Sequence, residues 1–163
     1  MAIEAVKNYF KQYDREKDIL EFDESSATVE LAAHALNVIP ARIAKTLSFK
    51  SGQGCILVVT AGDTKVDNHK FKAEFGIKAK MLSPDEVLAL TGHAVGGVCP
   101  FGIDNPAVRV FVDVSLKRFK TVFPACGSSN SAIELNCDEL YLYSQGLKWV
   151  DVCKNWQEQC LLQ

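Results

Sequence analysis

The sequence is short of the features that announce a function outright. It has three histidines, two tryptophans and two methionines in 163 residues, and none of its six cysteines forms a CxxC pair. Without that spacing, a zinc ribbon or a thioredoxin-like redox pair has no local support. No apolar run approaches the ~20 residues a membrane span needs. The opening "MAIEAVKNYF" lacks the basic-then-apolar pattern of a secretory signal. Positive charge is not in excess either: the formal net charge is −2, where nucleic-acid binders are usually basic. No GK[ST] follows a glycine loop and no GxGxxG follows a strand, so neither a P-loop nor a dinucleotide fingerprint is present. Repeats, linkers and low-complexity segments are also missing.

What is present describes an ordinary globular chain. Hydrophobic residues make up 48% and charged residues 23%. The length suits one domain over residues 1–163 with a core that needs no staples. The cysteines, at 55, 99, 126, 137, 153 and 160, sit mostly in apolar, strand-like surroundings such as "GCILVV". Free thiols in a cytoplasmic protein are the expectation, with no metal and no cofactor. Two local basic clusters interrupt the acidic balance: Lys65, Lys70, Lys72, Lys78 and Lys80, then Lys117, Arg118 and Lys120. Either could steer a polyanion, and either could be a solvated face.

Periodicity and punctuation give the elements. Ile3, Val6, Phe10 and Tyr13 recur at helical spacing. Ser26 is placed to cap a second helix through "TVELAAHALN", which Pro40 ends. "RIAKTLSF" alternates as a strand, and "CILVVTAG" is apolar enough for a buried central one. Asp67 can cap a helix running to Gly76. Ser83, Pro84 and Glu86 form a capping box before "EVLALT", and Gly92 stops that helix. "AVRVFVDV", "TVFPACG", "SAIEL" and "KWVDVC" read as strands, with a helix on "NCDELYLYS". Alternating helices and strands with some short connections predict a mixed α/β fold.

Three pieces could carry chemistry. Lys45 shares a strand phase with Ile43 and Leu47, on the face expected to turn inward. A lysine there either snorkels to the sheet edge or points its ammonium into a polar cleft. The loop "GHAVGGVCPFG", residues 92–102, has four glycines, and adjacent glycines leave amides sterically open toward a carbonyl or an oxyanion. A plain turn gives the same composition. The turn "CGSSNS" combines Gly127 with the hydroxyls of Ser128 and Ser129, and a tight connection between strands explains it equally well. Cys99 with His93 raises a thiol-nucleophile reading, but no third residue to orient the pair is evident. No Ser-His-Asp set stands out.

In order, the segments "ATVELAAHALNVIPARIAKTLSF", "VVTAGDTKVD", "LSPDEVLALTGHAVGGVCPFG", "VRVFVDVSL" and "ACGSSNSAIELNCDEL" resemble the YbaK and prolyl-tRNA-synthetase-associated editing domain family. The resemblance spans roughly residues 20–153. It implies a mixed α/β fold with a central curved mixed sheet surrounded by helices. It also implies a trans-editing deacylase that hydrolyses the ester of a mischarged tRNA, foremost proline tRNA carrying a small non-cognate amino acid. The family lysine falls on Lys45, the GxxxP loop on Gly96 to Pro100, and the later glycine on Gly127. The implied catalytic set is Lys45, Gly96 and Gly97. The implied substrate-binding set is Gly62, Asp63, Val98, Cys99, Pro100, Phe101, Gly127, Ser128 and Ser129. Cys99 is then a pocket-wall residue. The implied partners are the acceptor end of a mischarged aminoacyl-tRNA and an aminoacyl-tRNA synthetase, with no membrane. A non-catalytic module that binds a tRNA end or a nucleotide is the alternative.

Overall fold

The computed structural model describes residues 2–156; Cys160 and the rest of the expected 1–163 span lie outside the described residues. The helices are α1 (Ala2–Lys11), α2 (Val29–Leu36), α3 (Asn68–Phe75), α4 (Pro84–Thr91) and α5 (Cys137–Tyr143). The strands are β1 (Leu20–Glu21), β2 (Ile43–Ser51), β3 (Gly54–Ala61), β4 (Lys65–Val66), β5 (Val108–Asp113), β6 (Phe123–Pro124), β7 (Ser131–Ala132), β8 (Trp149–Val150) and β9 (Cys153–Lys154). No described helix is long and apolar enough to cross a membrane.

The main sheet has the order β6-β2-β3-β5-β8. β2 and β3 are antiparallel, while β6 joins β2, β5 joins β3 and β8 joins β5 in parallel. The sheet is therefore mixed, as the element order predicts. β3 is its middle strand, and every residue from Cys55 to Ala61 is buried. That is why "CILVVTA" is a continuous apolar run instead of an alternating one. One face of β2 and β3 carries Ala44, Leu57, Val59 and Ala61 into the larger core with Phe10, Phe101 and Leu140. The other face packs Phe49, Ile56 and Val58 against Phe71 of α3.

Local chemistry sets the helix ends. Ser83 and Glu86 make a reciprocal capping box on α4, and Gly92 closes it in the left-handed region. Asn136 and Glu139 do the same for the start of α5. Asp67 caps α3 and Gly76 ends it. Two sequence expectations need correction. Thr28, not Ser26, caps α2, because its side chain accepts the Leu31 N–H. The Ser26 N–H instead donates to the Ser129 carbonyl at 2.6 Å. "KWVDVC" is not one strand but two, in different sheets. Asp113 accepts the Val152 N–H at 2.9 Å, and this turns the chain away from β5 toward β4.

Candidate functional site

A cleft of about 380 Å³ straddles the outer edge of β2. One wall is Thr28 and Val29 at the start of α2; another is Gly96 and Val98 of the α4–β5 loop. Ala125 and Ser131 complete it from the segment around β6 and β7. Lys45 is the one charged residue among the described residues that line it.

Lys45 sits on the face of β2 that also carries Leu47 and Phe49, as its strand phase predicts. It is neither fully buried nor free. Its Nζ donates to the Thr64 carbonyl at 2.5 Å. An ammonium has three donors, so one anchor leaves two. Burial pushes its pKa below the ordinary lysine value, partly opposed by Cys153 and Asp63.

The glycine loop divides between cleft and core. Gly96 and Val98 face the cleft. Gly96 has φ +98°, a conformation suited to glycine. Gly97 does not line the cleft. Its N–H donates to Ala94 at 3.0 Å, so this amide is committed to the turn. A Cβ there would stand 2.8 Å from the N, Cα and C atoms of Ser128, so the loop is stacked backbone on backbone against the "CGSSNS" turn. The expectation that the Gly97 amide grips a substrate carbonyl therefore does not fit this geometry.

Cys99 and Phe101 turn inward and are fully buried. Phe101 meets the Phe10 ring edge-on at 4.9 Å. Cys99 is thus a core residue and not a pocket wall. Its Sγ lies 3.6 Å from His93 Nε2, while that nitrogen also meets the Phe101 carbonyl at 2.9 Å. Because a carbonyl only accepts, Nε2 carries the proton and cannot serve as a base toward the thiol. Burial pushes the Cys99 thiol up to about 12 and lowers the His93 pKa. This pair is built to stay neutral, the reverse of an activated thiolate.

The remaining expected residues lie outside the cleft. Pro100 faces a separate cleft of about 830 Å³ beside Tyr9 and Arg109. Gly62 lets the chain pass under the Pro40 carbonyl, which a Cβ would strike. Asp63 pairs with Arg118 at 2.6 Å. Gly127 rests on the Ala2 backbone, where a Cβ would come within 2.9 Å. Ser128 Oγ donates to Asn130 Oδ1 at 2.9 Å and is hydrogen-bonded to the Ser131 hydroxyl at 2.7 Å. The Ser129 carbonyl holds Ser26. Sequence reasoning missed Thr46, Ala125 and Ser131, which reach the cleft through long-range pairing; only the alternation of β2 hinted at Thr46.

Comparison with known proteins places the chain in a family. Residues 23–141 match the family model of the aminoacyl-tRNA editing domain. The uncharacterized protein YwhH of Bacillus subtilis is 56% identical, over 96% of this chain and all of that protein. The proline–tRNA ligase of Thermotoga maritima is 29% identical over 69% of this chain, which spans only 19% of the ligase. Among solved structures, one described as a candidate trans-editing enzyme for prolyl tRNA synthetase superposes with a TM-score of 0.84 at 25% identity. It covers 94% of this chain and 97% of that one. The chain belongs to the aminoacyl-tRNA editing domain family.

Proposed function

We propose, taking membership of the aminoacyl-tRNA editing family as the premise, that this chain is a trans-acting deacylase. It removes a small non-cognate amino acid from a mischarged tRNA, with proline tRNA the leading substrate. The observation that carries this reading is the meeting of Lys45, Gly96 and Val98 at one open strand edge, in a cleft of about 380 Å³. That volume lies at the small end of ligand sites, which suits an aminoacyl group and part of a ribose.

The reaction moves few atoms. A water oxygen bonds to the acyl carbon, the ester C–O bond breaks, and a proton passes to the departing ribose oxygen. The ester is already activated, so positioning and charge stabilisation supply most of what is needed. No histidine, cysteine or carboxylate is among the described residues lining the cleft. The nucleophile is therefore a held water, or a water relayed by the neighbouring ribose hydroxyl. Lys45 offers its two remaining donors to the terminal phosphate or the ester as charge-assisted hydrogen bonds.

The test is ester loss from proline tRNA charged with alanine, serine, threonine or cysteine, with correctly charged tRNAs as controls. Faster loss on at least one mischarged species is expected. No acceleration on any of them refutes the proposal, and binding without turnover marks a recognition module instead. Lys45→Ala should lower kcat/KM by roughly 10- to 150-fold, the worth of one charged hydrogen bond, while circular dichroism is unchanged. An unchanged rate removes Lys45 from the site.

A further inference from the structure

β2 is paired along its whole inner side by β3, from Ala44↔Ala61 to Ser51↔Gly54. Its outer side is paired only near the two ends. At one end, Ile43 and Ala44 meet Phe123 and Pro124 of β6, and the register stops there. At the other, the Ser48 carbonyl accepts from Leu82 at 3.2 Å and the Lys50 N–H donates to Lys80 at 2.8 Å. Successive residues of a strand turn their main-chain groups to opposite sides. The outward residues are therefore Ala44, Thr46, Ser48 and Lys50. Thr46 alone among them has no main-chain partner on that side among the described residues. The gap it faces is the cleft, where Thr46 stands with Ser48, Leu82, Ala125 and Gly96. The Thr46 hydroxyl is also shielded and unpartnered, as is that of Ser26 on the same cleft. Unpaired polar groups clustered at a sheet edge are an invitation to pair.

An aminoacyl group has the N–Cα–C=O layout of a single strand residue. Set opposite Thr46, it can exchange both hydrogen bonds of a close antiparallel pair. We propose that the open Thr46 segment is a main-chain clamp for the aminoacyl group: the Thr46 carbonyl accepts from the α-ammonium and the Thr46 N–H donates to the ester carbonyl. This rests on the deacylase reading and supplies the carbonyl donor that Gly97 cannot. Residues directly opposite in such a pair put their side chains on the same face, about 4.5–5.5 Å apart. The substrate side chain thus lies against the Thr46 side chain, making Thr46 a size gate as well. An L-amino acid fits this pairing; a D-amino acid turns its side chain to the Lys45 face.

The test uses a non-hydrolysable probe, alanine joined by an amide to 3′-amino-3′-deoxyadenosine, and the full chain labelled with ¹⁵N. On binding, the Thr46 amide signal should move downfield and its hydrogen exchange should slow by about tenfold or more, as for an edge amide that gains a partner. N-acetylation of the probe, which removes the α-ammonium, should weaken binding by about tenfold or more. Thr46→Pro deletes the N–H without touching the β3 ladder, since an outward edge position tolerates proline. It should lower kcat/KM on the mischarged tRNA by on the order of 10²-fold, as loss of a carbonyl donor does. Shifts at Gly96 and Val98 with a silent Thr46 amide would overturn the clamp. So would a Thr46→Pro variant that is folded and as fast as the unaltered chain. If Thr46→Pro does not fold, the exchange measurement decides. Failure of the unaltered chain to deacylate any tRNA defeats the deacylase reading; turnover with a silent Thr46 defeats the clamp alone.

Discussion

Gly97→Ala tests whether the cleft depends on two loops stacked backbone to backbone. The added methyl carbon would stand 2.8 Å from three backbone atoms of Ser128. Ordinary carbon contacts lie near 3.5–4.0 Å, so one loop must retreat by about 1 Å. Ser128 has little room to do so. Its hydroxyl is bonded to Asn130 and Ser131, and the adjoining Gly127 already rests on the backbone of Ala2. Overpacking of this kind costs about 1–3 kcal/mol. For a chain of this size each kcal/mol lowers Tm by about 2–4 °C, so a fall of roughly 2–12 °C is expected. Because Gly96 and Val98 flank Gly97 and line the cleft, single-turnover deacylation should slow as well. Gly97 has no positive φ, so backbone strain does not confound the result. Gly52→Ala is the control: φ is +58° there and nothing lies within 4 Å, so it should cost stability without slowing deacylation. A Gly97→Ala protein with an unchanged Tm and an unchanged rate would refute the stacked-loop account.

Three further outcomes follow from the buried groups. Cys99→Ala should deacylate within about threefold of the unaltered chain, since the thiol is fully buried and held neutral; a loss of several orders of magnitude would restore the thiol-nucleophile reading. In the native protein, iodoacetamide should leave the Cys99 peptide unmodified by mass spectrometry, and rapid labelling would contradict its burial. His93 has a folded pKa below its unfolded value near 6.5, so the unfolded chain binds more protons just below that pH. This stability is complete above about pH 6.5 and is lost as pH falls through the window beneath it; the urea midpoint should drop between pH 7 and 5, and His93→Gln should flatten that drop.

The helix ends were legible because their chemistry is local: Ser83 with Glu86, Asn136 with Glu139, and Gly76 and Gly92 as stops lie within a few residues of what they serve. The strand phase of Lys45 was legible for the same reason. The glycine loop was legible only as a loop. Its alternation between cleft and core, with Gly96 out and Cys99 in, is set by Phe10 and Ser128, which lie far away in the sequence. The split of "KWVDVC" depends on a hydrogen bond from Val152 to Asp113, and no pattern within six residues encodes it. Thr46 was overlooked because its importance comes from where β6 stops pairing, which is a property of the sheet and not of the residue.

One helix stands behind both loops. α1 places Phe10 against Phe101, at the inner end of the glycine loop, and Ala2 and Val6 against Gly127, at the start of the serine turn. Close-packed interiors pass displacement along instead of absorbing it. A slip of α1 therefore carries both walls together, as two pages move with one spine. The width of the cleft is therefore insulated from small shifts of that helix.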